Sequence, residues 1–419
     1  MPTKNRLFSI ILLFSFALSG FIGSGGAWST ESAANYRIVD VRKEMRFGKD
    51  AYKVISSALK DAGPGNPVQL TFSDGEYLLS AQIKLPSGTR MSLSNNAVLK
   101  LQPGKWDFFI GIDRSTDIEI SGGSIEIPQG SKGERFIAVI YGWNEPKRIN
   151  IHDITVRAPQ SHGIFMNGAA DVFVQRVTVP EPGKIGIAFF RGSGNISVVE
   201  SIITRAAMNG IEVSGKNCQE RYNVSITDCE INGTGDNGIA LTNIGGGLIR
   251  VNRIFGGRAH AGITCRDCNN LVIANNVIYD NFDGILLNYN SSNNQVVDNE
   301  IYGNVQDGID IAYGNGRKNS ILRNTLRDNG IWGLYLIETN DNNIRDNHIA
   351  NNGKLARSHN TNTAGIQLDK GTNGNVINDN TIHAYDNNSS EYAIFEGDKS
   401  GNNIISGNNI IGKIRNKNK

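Results

Sequence analysis

A glycine followed by an aliphatic residue recurs through the middle of the chain at Gly163-Ile164, Gly186-Ile187, Gly210-Ile211, Gly238-Ile239, Gly262-Ile263, Gly284-Ile285, Gly308-Ile309, Gly333-Leu334 and Gly365-Ile366, with Ala393-Ile394 as a degenerate last member. The steps are 23, 24, 28, 24, 22, 24, 25, 32 and 28 residues. A period of that length marks stacked units, each burying its apolar face only against its neighbours. A second phrase keeps the same register: Asn276-Val277-Ile278, Asn299-Glu300-Ile301, Asn324-Thr325-Leu326, Asn347-His348-Ile349 and Asn380-Thr381-Ile382. Each unit therefore holds at least two short strands. Nineteen asparagines lie between Ala261 and Ala350, many at strand ends, where Asn tolerates left-handed backbone angles and bonds to nearby main chain.

Other repeat architectures fit poorly. The Leu-x-x-Leu-x-Leu skeleton of leucine-rich repeats and the paired amphipathic helices of helical solenoids are absent, and propeller blades need a period nearer 40 residues. The chain has 48 glycines but only 10 prolines and no Gly-X-Y period, which excludes collagen. The expected fold is all-β: a parallel β-helix in which each turn supplies three short strands, turns stack about 4.8 Å apart, and Ile, Val and Leu fill the interior. The Asn of the second phrase should stack coil on coil, satisfying buried polar atoms along the axis. Cys229 takes the ladder position in Cys229-Glu230-Ile231 and reads as a small interior hydrophobe in preference to a disulfide partner.

The remaining segments set the boundaries. Leu7 to Leu18 is an apolar run behind Lys4 and Arg6 that ends in Gly25-Gly26-Ala27, the pattern of an export signal, so residues 1–27 are expected to be a signal peptide of a secreted or periplasmic protein. Residues 28–66 are an N-terminal extension with a capping helix, because Ala51, Val54, Ile55, Ala58 and Leu59 fall at helical spacing before Gly63-Pro64-Gly65. The solenoid runs 67–412, and 413–419 reads as a basic solvated tail. No second apolar segment of spanning length follows.

Charge and cysteine usage exclude several functions. With 42 Lys and Arg against 40 Asp and Glu, the formal charge is +2, which gives nucleic acid no basic surface to follow. Cys265-Arg-Asp-Cys268 has redox spacing but follows a strand and does not open a helix. A zinc site would need the widely spaced Cys218 and Cys229 as its second pair. The expected state is one monomeric exported solenoid.

From about Tyr36 onward the chain resembles the right-handed parallel β-helix superfamily, the pectate-lyase-like group with PbH1-type repeats that includes polysaccharide hydrolases and mannuronan C5-epimerase-like proteins. The phrases Asn299-Glu300-Ile301 and Asp307-Gly308-Ile309 carry the resemblance. It implies right-handed coiling and an elongated face that binds a linear, often acidic, polysaccharide. The epimerases carry Asp-Pro-His after a coil-opening glycine; here Asp310-Ile311-Ala312 follows Gly308-Ile309, so only Asp310 matches.

Strand parity locates the candidate groove. If Ile164 points inward, Phe165 points outward, and the same parity gives Ala188, Glu212, Ala240, Thr264, Leu286, Asp310, Tyr335 and Gln367. Nearby positions add Arg191, Asp236, His260, Arg266, Asp267, Asn288, Tyr289, Tyr313, Glu338, Asp369 and Lys370. The densest patch is His260, Arg266, Asp267, Tyr289, Asp310 and Tyr313.

On an acidic sugar this patch suits β-elimination: a base removes the proton beside the carboxylate, a cation steadies the charge that develops, and a donor assists the leaving oxygen. His260 or Tyr289 is the candidate base, Arg266 the carboxylate clamp and Tyr313 the proton donor, with Asp310 orienting a partner or, with Asp267, binding a cation such as Ca²⁺. Arg191, Glu212, Asp236, Asn288, Tyr335, Glu338 and Lys370 are expected to bind substrate. C5-epimerisation on the same face is the close alternative. Hydrolysis by Glu212 with Asp236, or Asp267 with Asp310, is another. A non-catalytic polysaccharide-binding solenoid is the reading from a different class.

Overall fold

The computed structural model describes residues 35–45, 50–127, 137–191, 194–219, 222–257, 259–353, 363–384 and 392–416. The expected signal peptide and residues 413–419 beyond Asn416 lie outside that range, as do parts of the lengthened coils that follow Gly210, Gly333 and Gly365.

Among the described residues three parallel sheets of 15, 14 and 14 strands run the length of the solenoid. The first sheet extends from Arg37–Asp40 to Ile404–Ser406, the second from Ile83–Lys84 to Lys413–Asn416, and the third from Gly75–Leu79 to Asn409–Ile411. A coil visits the second, first and third sheets in turn, as in Ile263–Arg266, Asn269–Ala274 and Val277–Tyr279. Every strand pairs with its counterparts one coil away, so the repeat in the sequence becomes a ladder in space.

The interior follows the expected parity. Ile164, Ile187, Ile211, Ile239, Ile263, Ile285, Ile309, Leu334, Ile366 and Ile394 form one buried column in the main core. Each such side chain contributes roughly 1.5–3 kcal/mol of burial. The glycine before each aliphatic residue sits against the next coil: a Cβ on Gly284 would stand 2.3 Å from the Gly308 carbonyl oxygen and from the Ile301 side chain. In these coils the missing Cβ lets the strands enter the second sheet this closely, and Ala393 takes the position in the last coil of the series.

The asparagine ladder forms, and each of the three bends has one. Asn252, Asn276, Asn299, Asn324, Asn347, Asn380 and Asn408 bond amide to amide at 2.9–3.1 Å. A second ladder runs Asn294, Asn319, Asn342, Asn375, Asn403. The third runs Asn281, Asn304, Asn329, Asn352. Cys229 starts the first ladder, its N–H donating to Asn252 Oδ1 at 3.0 Å while its thiol is buried and pushed up to about 12. All four cysteines are free thiols.

The N-terminal coil is covered by a helix, Ala51–Leu59, whose N-cap Asp50 accepts the Tyr52 N–H at 2.9 Å and whose buried residues are the five expected ones. Two strands lie beyond the expected solenoid limits. Arg37–Asp40 pairs with Val68–Thr71 and opens the first sheet. Lys413–Asn416 pairs with the strand Tyr392–Glu396. The basic composition of the last segment hid its alternation; Ile414 continues the inward column opposite Ile394 but stays exposed because no described coil follows it.

Candidate active site

The outward column on the second sheet is continuous. Phe165, Ala188, Glu212, Ala240, Thr264, Leu286, Asp310, Tyr335, Gln367 and Phe395 are in-register neighbours, one per coil. Two strand positions further on, Arg266 pairs with Asn288 and Asn288 with Ala312.

A second column stands at the residue before each coil-opening glycine. His162 Nδ1 accepts the Ile185 N–H at 3.2 Å, Asn209 Oδ1 the Asn237 N–H at 2.9 Å, Asp283 Oδ1 the Asp307 N–H at 3.2 Å, and Asp307 Oδ1 the Trp332 N–H at 3.1 Å. The two columns touch, since Asn209 Nδ2 donates to Glu212 Oε2 at 2.7 Å and Thr264 Oγ1 donates to Asn237 Oδ1 at 2.5 Å.

Where both columns carry carboxyls, an acid centre results. Asp283, Asp307 and Asp310 come from consecutive coils and are all buried, although Asp310 belongs to the outward parity. Burial pushes Asp283 up to about 6, against the Asp307 N–H and the nearby His260. Burial also raises Asp307, with the Asp310 and Asp283 charges adding to it, and raises Asp310, with Asp283 adding. Two adjacent carboxyls out of water cannot both ionise cheaply, so proton loss from this centre is shifted above the usual carboxylate range. Asp310 Oδ1, Asn288 Oδ1 and Gln367 Oε1 are buried on this face with no hydrogen-bond partner, each an acceptor that lacks a donor. Beside them Trp332 stacks on Tyr335 with ring centroids 4.1 Å apart. The Tyr335 hydroxyl is raised by burial and by Asp369, Asp310 and Asp307. Trp332 also packs on a small apolar cluster of Ala364, Tyr392 and Phe395.

The expected patch is distributed around this centre and not condensed on it. Arg191, Asp267, Tyr289, Tyr313 and Glu338 occupy one structural position, the left-handed bend that ends a second-sheet strand, with φ of 50–58°. The Arg266 guanidinium lies 4.1 Å from the Tyr289 ring centroid, and Asp267 Oδ1 accepts from Asn290 at 2.9 Å. Tyr313 is 69% exposed. Glu338 and Lys370 pair with each other at 3.7 Å. At the other strand end His260 Nδ1 stands 3.7 Å from Asp236 Oδ1, and Glu212 is raised by burial, with Asp236 adding to the shift.

Asp267 and Asp310 lie two coils apart at different strand positions. Among the described residues no three His, Cys, Asp or Glu side chains converge as a metal site. A Ca²⁺ ion needs several converging oxygens, so these residues do not fit one. The sequence reading missed Asp283, Asp307 and Trp332. The signal was available: the pre-glycine residue is polar at His162, Asn209, Asn237, Asp283 and Asp307, but Asp-Gly-Ile reads as repeat grammar. A cleft of about 330 Å³ at the third sheet, lined by Glu126, Arg157, Glu181 and Arg205 among others, is apart from this chemistry, and its arginines already pair with its glutamates.

Residues 162–326 match the family described as the right handed beta helix region. A mannuronan C5-epimerase of Pseudomonas putida is 36% identical over 106 residues, which are 25% of this chain and 18% of that protein. The chain thus spans under a fifth of that relative's length. Among solved structures, a tailspike protein of E. coli bacteriophage HK620 in complex with a pentasaccharide aligns with TM-score 0.59 at 9% identity, covering 84% of this chain and 71% of that one. A mutant of the periplasmic alginate epimerase AlgG aligns with TM-score 0.50 at 14% identity, covering 89% and 84%. Among the described residues no helix is long and apolar enough to cross a membrane. In fold, the chain is a right-handed parallel β-helix, and a quarter of it is similar to part of a mannuronan C5-epimerase.

Proposed function

We propose that this chain is an exported enzyme that cleaves a linear, uronate-containing polysaccharide by β-elimination on the outer face of the second sheet. The observation that carries this reading is the acid centre: three buried carboxyls from two consecutive coils, each pushed above the usual carboxylate range, with Asp310 Oδ1 unpartnered. A neutral carboxyl can donate a hydrogen bond to a substrate carboxylate and withdraw charge from it, as an ionised one cannot. That lowers the barrier to removing the adjacent C5 proton. His260, at the rim beside Asp236, takes the proton. The C5–H electron pair forms the C4–C5 double bond, and the C4–O bond breaks. Tyr335, kept protonated by burial and its acidic neighbours, supplies the proton to the departing oxygen. Arg266, held over the Tyr289 ring, supplies a cation at the edge of this face for the substrate carboxylate.

Hydrolysis is the second reading, favoured by the raised Glu212 carboxyl beside Asp236, which has the character of a general acid. Incubation with oligogalacturonate, oligomannuronate and neutral glycans separates the outcomes. Ultraviolet absorbance from unsaturated ends supports elimination, reducing ends without absorbance support hydrolysis, and C5 proton exchange without cleavage supports epimerisation. Binding with none of the three supports a binding module.

A further inference from the structure

The same outward face carries a second feature nearer the N-terminus, on the strands Phe108–Asp113, Ala138–Trp143, His162–Asn167 and Ile187–Phe190. Tyr141 and Trp143 stack at 4.8 Å, Tyr141 meets Phe165 at 5.8 Å, and Phe165 stacks on Phe190 at 5.1 Å with 11° between planes. All four rings are half-buried.

The bland reading is an external stack that staples coils together, and the third sheet has one for comparison. There Phe255, Tyr279 and Tyr302 are register partners with ring planes 2° apart, so each ring spends its faces on the next coil. The second-sheet rings differ in part: Tyr141 and Phe165 are also register partners, but tilted by 55°. Tyr141 and Trp143 share one strand, and Phe165 and Phe190 are diagonal neighbours, since Phe165 pairs with Ala188 and Asn167 with Phe190. The residues beneath are small. A Cβ on Gly111 would stand 2.5 Å from the Phe108 ring and 2.9 Å from Trp143, and Ala188, outward by parity, is fully buried. The rings therefore run along and across the strands in stacked and tilted pairs, each still half-exposed, so that an aromatic strip reaches solvent where a sugar ring can pack.

Cations surround the tiles. Lys84 Nζ lies 5.3 Å from the Trp143 ring centroid. Arg191 follows Phe190 at the left-handed bend and is exposed. Lys184 lies close enough to His162 to help burial hold that imidazole neutral. With its Nδ1 accepting the Ile185 N–H, His162 carries its proton on Nε2 and presents a donor. Among the described residues neither Lys84 nor Lys184 nor Arg191 has a carboxylate partner. The acidic groups at this end include Asp107, near Tyr141, Asp113, which Asn144 engages at 2.8 Å, and the exposed Glu145 at the bend after Trp143.

We propose that Tyr141, Trp143, Phe165 and Phe190, with Lys84 and Arg191, form a second glycan-binding platform that takes a carboxylated stretch of polysaccharide away from the acid centre. From Phe165 to Asp310 the outward column advances six coils, roughly 29 Å at the usual strand spacing. A long chain laid along the face reaches both places and a short one reaches only one. The platform would give the enzyme its preference for polymer over fragments, by holding the chain while the acid centre works. This inference rests on the reading of the protein as a carbohydrate binder but not on any reaction.

Affinity electrophoresis in gels containing polygalacturonate or polymannuronate tests it, with a neutral glucan as control. The wild-type protein is expected to be retarded by an acidic glycan and not by the glucan, and Trp143→Ala and Arg191→Gln are each expected to weaken retardation by about tenfold. Arg191 is an exposed bend residue, so its variant keeps the test sound if Trp143→Ala folds poorly. Wild-type retardation in both variants overturns the platform, and equal retardation by the neutral glucan overturns its charge selectivity. Retardation that both variants weaken, in a protein that turns over no glycan, upholds the platform and removes only the elimination reading.

Discussion

The Asp307 N–H donates to Asp283 Oδ1 across one coil step at 3.2 Å, tying the carboxyl of one coil to the backbone of the next. The bond consumes one oxygen of Asp283 and, with nearby His260, favours its ionised form, while burial opposes ionisation more strongly. An acid centre built this way is a property of the stack: no single coil could make it.

If Asp310 acts as a neutral hydrogen-bond donor to a substrate carboxylate, its amide analogue keeps part of the function. Asp310→Ala should lower kcat/KM on an acidic glycan by about 100-fold or more, whereas Asp310→Asn should retain a clearly measurable fraction and lose less activity at alkaline pH. A proton-transferring Asp310, as hydrolysis requires, would make the two variants equally inactive.

Asp283 links the site to stability. An unfolded aspartate titrates near ~3.9, and the folded group near about 6. Between those values the folded state holds the extra proton, so stability is highest below the lower value and falls as pH rises through the upper one. At neutral pH the ionised group costs the fold about 3 kcal/mol. Asp283→Asn, which keeps the acceptor for the Asp307 N–H, should raise the thermal midpoint at pH 8 and leave it nearly unchanged at pH 4. Calorimetry at both pH values checks this.

Tyr289 and Tyr313 hold φ of 55° and 58°, a conformation glycine adopts freely and a tyrosine at a cost of about 1 kcal/mol. Tyr313→Gly should therefore leave the thermal midpoint unchanged or raise it slightly, while weakening glycan binding at the acid centre. A loss of stability would mean that the Tyr313 ring packs more than its exposure indicates.

Asn299 anchors the longest ladder by donating to Asn324 Oδ1 and to the Ile273 carbonyl, both at 2.9 Å, while accepting from Asn276. Asn299→Ala strands donors and acceptors in the interior and should cost about 3 kcal/mol in chemical denaturation. Substitution of an exposed asparagine such as Asn290 should cost far less.

Much of this architecture was legible before any coordinates. The Gly-aliphatic phrase fixes the coil step because the missing Cβ leaves room against the carbonyl of the next coil, and parity then places Phe165, Asp310 and Gln367 on one outer face. The acids Asp283 and Asp307 were hidden because a pre-glycine Asp serves turn formation in most proteins. What sets them apart is burial, which raises both carboxyls and which no single coil's sequence displays. The bend residues Tyr289, Tyr313 and Asp267 were added as neighbours of the outward column, and their shared left-handed conformation at the strand end is a feature that alternation does not predict.

The most direct test of the acid centre is a carbon NMR titration of aspartate carboxyls in the free protein. The expected result is a set of coupled carboxyl signals whose ionisation begins near about pH 6 and extends above it, with the Asp310→Asn variant simplifying the set. Completion of every aspartate titration by about pH 5 would contradict a protonated centre and, with it, the proposed elimination chemistry.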